Sequence, residues 1–141
     1  MNRASTRQIA DGVVSLLNDE TFTPAFTAER VVTADFDLSE LNELKVVVVA
    51  GSSESGGGAN RSGTPKERTV QVGVLKRVTS DDEADALGDL VDAIAEHLDN
   101  RPLNAVNARW LRTEHATLMD ADLLRRKKVY LGVVLVTYLA V

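Results

Sequence analysis

The chain has 141 residues, 44% of them hydrophobic and 26% charged, and its formal net charge is -5. This length suits one domain and leaves little room for a second independent core. The acidic balance gives no general attraction to nucleic acid or to an anionic membrane. The lack of cysteine excludes disulfides, thiolate metal sites and a cysteine nucleophile. No apolar run reaches the roughly 18–20 residues that span a bilayer, and the first residues lack the apolar core of a signal peptide. We therefore expect a protein made and used in a cytoplasm, without a membrane partner.

A helix and two strands are predicted for the first part of the chain. Apolar residues at helical spacing predict a helix over residues 5–18 that stops near Asn18; they are Ile9, Val13, Leu16 and Leu17. Residues 27–36 are rich in β-branched side chains and predict a strand, and residues 44–50 (LKVVVVA) predict a second, buried strand. Residues 37–41 form a short connection between the two strands, which predicts a hairpin.

The composition then changes abruptly to glycine and serine over residues 51–65 (GSSESGGGANRSGTP). Such a stretch is typical of a flexible insertion, and at about 15 residues it is longer than a normal loop, so it is either functional or disordered. The spacing from Gly58 to Gly63 matches a P-loop, but the lysine that should follow Gly63 is missing and no helix begins after it. Gly56 and Gly58 also fail as a dinucleotide fingerprint because position 61 is arginine. We predict a mobile insertion and no nucleotide site.

A third strand and a well-capped helix follow the insertion. Valines alternate over residues 68–78 and predict a strand, in which Gly73 allows a bulge or a close approach by another backbone. Ser80 and Glu83 have the spacing of a capping box. The helix they begin should end near Asn100, before Pro102, and it carries a core-facing stripe of Leu87, Leu90, Val91, Ile94 and Leu98.

Two further strands complete the predicted fold. Residues 105–118 favour a strand because of their tryptophan and threonines, and residues 120–126 form a short polar turn or a single helical turn. Residues 129–141 (VYLGVVLVTYLAV) predict a long strand that is apolar on both faces and therefore needs cover on both, from a second layer or from a neighbouring subunit. The prediction is a single α+β domain over residues 1–141, with a mostly antiparallel sheet of about five strands and two main helices packed on it.

The sequence contains no set of residues that is typical of a catalytic site or of a metal site. His97 lies near the predicted end of the second helix, where a surface or capping role suits it, and His115 has no evident nucleophile or carboxylate beside it. The metal-binding spacing H-E-x-x-H does not occur. Four acidic residues, Asp81, Asp82, Glu83 and Asp85, are explained by the favourable position of negative charge at a helix start. We expect no catalytic, cofactor-binding or metal site.

Basic residues and the single tryptophan are the candidates for an assembly interface. Such basic runs are usually solvated or protect a sheet edge; the alternative is contact with a phosphate backbone or an acidic partner. A lone tryptophan is an anchor in the core or in an interface. The candidate interface combines the residues that flank the insertion, the basic run before the last strand and the tryptophan: Arg61, Lys66, Arg68, Trp110, Arg125, Arg126, Lys127 and Lys128.

The order of five stretches along the chain is similar to the order of elements in a known protein family. They are the amphipathic opening helix, LKVVVVA at 44–50, RTVQVGVLKRV at 68–78, DDEADALGDLVDAIAEHL at 81–98 and VYLGVVLVTYLA at 129–140. This layout resembles that of the tail terminator, or tail completion, proteins of long-tailed bacteriophages. The likeness spans nearly the whole chain and rests on layout, not on a diagnostic motif.

The resemblance implies a small α/β protein without enzymatic activity that assembles as a homo-oligomer, a hexameric ring. The ring caps the tail tube, joins it to the head-completion or connector proteins and lies in the virion at the head–tail junction, after assembly in the host cytoplasm. DNA in the lumen would pass near it. Part of strand 129–141 or of strand 68–78 would then be buried between subunits, with the insertion 51–65 ordered against a partner ring.

Two other classes remain open. One is a different ring-forming virion component, such as a head–tail connector adaptor or a tail tube subunit. The other is a cytoplasmic enzyme or ligand-binding domain whose pocket is assembled from scattered residues.

Overall fold

The computed structural model describes residues 3–32, 36–50, 66–117 and 121–140. Its helices and strands are α1 (Thr6–Asn18), β1 (Ala28–Val31), β2 (Lys45–Ala50), β3 (Lys66–Arg77), α2 (Asp81–Leu98), β4 (Ala108–Thr117), α3 (Ala121–Lys127) and β5 (Val129–Ala140). The strands form one sheet in the order β1-β2-β3-β5-β4, antiparallel except for the pair β1–β2. The predicted α+β fold, with two main helices on a mostly antiparallel sheet, is confirmed. The predicted insertion at 51–65 lies outside the described residues.

Helix α1 begins and ends where its sequence predicts. The Ser5 hydroxyl accepts a hydrogen bond from the Gln8 backbone N–H at 3.1 Å, and the Gln8 side chain accepts one from the Ser5 N–H at 2.8 Å. The buried residues of the helix are Ile9, Ala10, Val13 and Leu17, while Leu16 is only partly buried. A local cap and an apolar stripe are therefore enough to define this element.

Strands β1 and β2 are neighbours but run parallel, so the predicted hairpin is wrong. Strand β1 is also shorter than the predicted 27–36, since it covers only Ala28–Val31. The chain between the two strands passes through a 3-10 helix at Leu38–Asn42. Parallel neighbours require a connection of about a dozen residues, and this link is long enough to return the chain to the end of the sheet at which β1 began.

Strand β5 lies inside the sheet, between β3 and β4. It pairs with β3 along its whole length, from Arg77 opposite Val129 to Lys66 opposite Ala140. One of its faces points into the main core through Tyr130, Val134, Val136, Tyr138 and Ala140. The predicted long apolar strand is confirmed over Val129–Ala140, and its last predicted residue lies outside the described ones.

The core lies almost entirely on one face of the sheet. Helices α1 and α2 contribute their buried residues to the same hydrophobic cluster as β2, β3 and β5. The opposite face has a smaller cluster of Leu41, Val47, Leu75 and Val129, formed where the 3-10 helix Leu38–Asn42 packs on it. The helices therefore cover one side of the sheet, and the 3-10 helix covers one end of the other.

Helix α2 has one half of the predicted capping box. The Ser80 hydroxyl accepts a hydrogen bond from the Glu83 N–H at 3.2 Å. The Glu83 carboxylate, however, accepts from the backbone N–H of Thr79 at 2.8 Å instead of from that of Ser80. The apolar stripe is confirmed, because Leu87, Leu90, Val91, Ile94 and Leu98 are all buried.

The last part of the chain departs from prediction at element ends. Strand β4 covers Ala108–Thr117 and begins later than the predicted residue 105, because residues 104–106 form a 3-10 turn. The predicted last residue, Leu118, lies outside the described residues, and the register of β4 against β5 is interrupted twice. Of the two alternatives predicted for 120–126, a polar turn or a single helical turn, the structure has the helical one, as helix α3 (Ala121–Lys127). Asp120 lies outside the described residues. Lys128 then adopts a left-handed conformation, with φ 57, which ends the helix and starts β5.

Candidate interaction surfaces

The sheet face opposite α1 and α2, which we call the open face, is apolar along β5. Alternation and register place Leu131, Val133, Leu135 and Leu139 on this face, and all four are half-buried. Leu131 packs on the small cluster at the 3-10 helix, whereas the other three belong to neither hydrophobic cluster of the described residues. The described elements therefore cover this apolar strip at one end only.

Charged and polar side chains border the apolar strip. The Arg112 Nη2 lies 3.2 Å from the Glu67 Oε1, and its Nε lies 3.5 Å from the Glu114 Oε1. Thr137 lies within the strip, between Leu135 and Leu139, and its buried hydroxyl is 2.9 Å from that of Thr69. Exposed ion pairs of this kind contribute about 0–1 kcal/mol each to stability. An apolar centre with a polar border is the usual make-up of a protein–protein interface.

The predicted assembly residues are divided between the two ends of β5. Lys66 lies opposite Ala140, at the end of the strand, and the basic run 125–128 directly precedes Val129, at its start. Since β5 has 12 residues, the two groups are separated by roughly 40 Å. The structure does not bring them together, and Arg61 lies outside the described residues.

Arg68 and Trp110 lie on the core side of the sheet, where both are opposite the buried Tyr138. Trp110 packs against the main core, and its indole N–H donates to the Thr113 hydroxyl at 2.8 Å. The Arg68 Nε and the Tyr138 hydroxyl are buried without a hydrogen-bond partner, and burial raises the pKa of Tyr138. Trp110 therefore anchors the chain's own core.

A basic cleft of about 860 Å³ lies where β3 ends and β5 begins, next to the start of α2 and the end of α3. Its cationic residues are Lys76, Arg77, Arg125 and Lys128. Arg77 donates to the Asn42 side chain at 3.3 Å, and within the described part of the chain Arg125 and Lys128 make no ion pair. Sequence reasoning found the run at 125–128 but missed Lys76 and Arg77, because only the pairing of Arg77 with Val129 brings the two segments together.

An ion pair between Lys76 and Glu83 forms one wall of the basic cleft. The Lys76 ammonium donates to the Glu83 carboxylate, which also accepts from the Thr79 N–H at 2.8 Å. The hydrogen bond from Lys76, followed by that from Thr79, lowers the pKa of Glu83. Glu83 thus fastens the end of β3 to the start of α2, and it neutralises one of the four cations.

An acidic stripe runs along the exposed side of α2. It consists of Asp85, Asp89, Asp92, Glu96 and Asp99, which are all exposed and follow one another at intervals of four and three residues. Such spacing places them in one line on a helix. A shallow groove of about 250 Å³ beside its C-terminal half is also lined by His115 of β4.

His115 has a carboxylate neighbour that the sequence did not reveal, since its Nε2 lies 3.9 Å from the Asp92 Oδ1. Burial, with a smaller contribution from Asp92, raises the pKa of the nearby Tyr130 to about 12. In the part of the chain that the structure describes, no three His, Asp or Glu residues are arranged as a metal site.

His97 links α2 to α1 and does not cap its own helix. Its Nε2–H donates to the Leu16 carbonyl at 2.9 Å, near the end of α1, and its ring meets Phe22 edge-on with centroids 5.5 Å apart. The ring is half-buried. His97 does lie in the last turn of α2, as predicted, but the predicted surface or capping role there is wrong, because the carbonyl that it binds belongs to α1.

Comparison with the models of known protein families gives no match, and comparison with curated proteins gives none either. In the described residues, every helix is too short or too polar to pass through a bilayer.

Proposed function

We propose that the protein is a structural virion component, a tail terminator that forms a homo-oligomeric ring, caps the tail tube and joins it to the head-completion proteins. The observation that carries the proposal is the open face. Val133, Leu135 and Leu139 are half-buried there and belong to neither hydrophobic cluster of the described residues. An apolar strip of this kind suits contact with another protein surface.

The arrangement of layers supports ring assembly. A ring needs heterologous contacts, in which one patch of each copy meets a different patch of the next. The open face lies on one side of the sheet and helices α1 and α2 lie on the other. The sheet of one copy therefore meets the helices of its neighbour, and the order of elements is the one that resembles tail terminators.

The variant Leu135→Glu tests the contact through the open face. We expect light scattering to give the mass of a ring for the unaltered protein and of a monomer for the variant, because burying an unpaired carboxylate costs several kcal/mol. The matched control is Val32→Glu, at a valine that is 82% exposed and outside the sheet, and it should keep the ring. Equal assembly of both variants would argue against the open face.

Electron microscopy of tails assembled with the tagged protein tests the location of the ring. The proposal predicts a ring at the head-proximal end of the tail tube. A ring elsewhere in the virion would identify another ring-forming component. A protein that stays monomeric both alone and with tail tubes would contradict the proposal.

A further inference from the structure

We infer that the basic cleft of one copy receives the acidic stripe of α2 from the next copy in the ring. This inference rests on the proposed function and names the charged part of the subunit contact. The cleft adjoins the open face through Arg77, whose partner Asn42 belongs to the 3-10 helix on that face. The stripe lies on the helical side of the sheet. The contact of the open face with the helices and the contact of the basic cleft with the acidic stripe are therefore two parts of one heterologous contact.

The acidic stripe is unfavourable for the isolated chain. Its carboxylates follow at intervals of three and four residues, and like charges at these spacings repel one another on a helix. Glu96 and Asp99 lie at the C-terminal end of α2, where the helix dipole favours cations. Within the described residues, His115 is the only basic group within ion-pair distance of the stripe. A local conflict of this kind indicates a surface whose charge is compensated elsewhere.

Two of the four cations of the cleft, Arg125 and Lys128, make no ion pair within the described residues, and the backbone fixes the position of Lys128. Lys128 occupies a left-handed position, with φ 57, which normally favours glycine at a helix end. Its N–H donates to the Leu124 carbonyl at 3.0 Å, and its own carbonyl accepts from the Val78 N–H at 2.8 Å. The choice of lysine there is explained by its side chain, because the backbone alone would prefer glycine.

The positions of the two surfaces favour contact between copies. The cleft lies at the start of α2, whereas Glu96 and Asp99 lie at the other end of a helix that is roughly 27 Å long. One copy therefore cannot place the far half of its stripe in its own cleft. Arg125 and Lys128 are three residues apart, a separation similar to that between successive carboxylates of the stripe.

The carboxylates in the cleft argue for a helix over a nucleic acid. Glu83 is paired with Lys76, but Asp81 also lines the cleft beside the cations, and it would repel a continuous phosphate backbone. A helix presents separate carboxylates, which can each meet a single cation. The net charge of -5 likewise favours the chain's own acidic surface as the partner of the basic cleft.

Two charge-reversed proteins test the pairing. One carries Arg125→Glu with Lys128→Glu in the cleft, and the other carries Asp89→Lys with Glu96→Lys in the stripe. We expect each alone to need at least about tenfold more protein for half-association than the unaltered chain. An equal mixture should assemble again, because the acidic cleft of one protein then meets the basic stripe of the other. The matched control, Asp19→Lys with Glu20→Lys, reverses two exposed charges in the turn after α1 and should assemble normally.

Two further measurements separate a contact from a solvated surface. Raising the salt from about 50 mM to about 500 mM should weaken assembly of the unaltered protein. The neutral variant Asp89→Asn with Glu96→Gln should raise the melting temperature of the monomer and yet weaken assembly. If the stripe has no partner, the neutral variant should have the higher melting temperature and assemble as well as the unaltered protein.

The outcomes distinguish this inference from the proposed function. If both charge-reversed proteins assemble as well as the unaltered chain, or if their mixture stays unassembled while both are folded, the inference is wrong although a ring on the tail tube still stands. If the cleft variant assembles normally but loses binding to a short DNA duplex, the cleft is a phosphate site and the inference is again wrong. If the unaltered protein forms no ring alone or on tail tubes, the proposed function fails.

Discussion

At the scale of single residues, the Asn18 side chain links helix α1 to the edge strand β1. Its amide N–H donates to the Ala28 carbonyl at 3.1 Å, and its amide oxygen accepts from the Ala28 N–H at 2.8 Å. Strand β1 is at the edge of the sheet and has only 4 residues. The Asn18 amide therefore satisfies backbone groups that point away from β2, and it ties the end of α1 to β1.

Replacing Asn18 should reveal the strength of this link. We expect Asn18→Ala to lower the free energy of unfolding by about 1–3 kcal/mol, since the part-buried Ala28 groups lose their partner. Urea denaturation followed by circular dichroism measures this change. Asn42→Ala is the control, because the bond that Asn42 accepts from Arg77 is exposed and long, at 3.3 Å. Equal losses in both variants would contradict the role of Asn18.

The lowered pKa of Glu83 predicts how stability depends on pH. A carboxyl whose pKa is lower in the folded than in the unfolded chain stabilises the fold above its ordinary pKa, and this contribution is lost as the pH falls through the folded value. The ordinary value is 4.5, so the loss should begin near there and continue below it. Glu83→Gln should be less stable near neutral pH and show a flatter acid limb. Parallel acid limbs in the two proteins would show that Glu83 does not contribute.

At the scale of elements, the helices follow local rules that can be read directly from the sequence. Ser5 and Ser80 each accept a hydrogen bond from a backbone N–H three residues later, and each helix buries one apolar stripe. Gly88 breaks these rules, because it lies in the middle of α2 without a positive φ that would require glycine. A Cβ added there would lie 3.7 Å from the Tyr130 hydroxyl, an ordinary contact distance.

Gly88→Ala should therefore stabilise the protein by about 0.5–1 kcal/mol, because alanine loses less backbone entropy on forming a helix. Thermal unfolding of the variant measures the gain. Ala93→Gly, at an exposed position of the same helix, should cost a similar amount. A loss of stability in Gly88→Ala would mean that the space beside Tyr130 is tighter than an ordinary contact.

At the scale of the whole molecule, one hydrophobic cluster joins elements from both halves of the chain. It contains Val13 of α1, Val48 of β2, Leu90 of α2 and Val136 of β5, and Trp110 packs against it. Each of these elements depends on the others for burial of its apolar face. We therefore expect the fold to be lost as a unit.

Leu90→Ala tests this cooperativity, since Leu90 is 1% exposed within the cluster. The variant should lose about 2–5 kcal/mol of unfolding free energy. Because Trp110 is the single tryptophan and packs on the same cluster, its fluorescence and the helical circular dichroism should change together in urea. Two separate transitions would indicate a second cooperative unit.

The sequence by itself determined the identity of most elements, because caps, apolar spacing and β-branched runs act over a few residues. It therefore predicted α1, α2, the strands at 44–50, 68–78 and 129–141, and the α+β class. It also found the basic run at 125–128, since a charge run can be read along the chain.

Only the tertiary structure decided what depends on residues far apart in sequence. The parallel pairing of β1 with β2, the facing of Arg77 and Val129, and the approach of His115 to Asp92 are set by strand order and register. Packing against the common core selects these pairings, and neither periodicity nor spacing encodes them. For the same physical reason, the structure separated Lys66 from the run at 125–128, and it joined that run to Lys76 and Arg77 in the basic cleft.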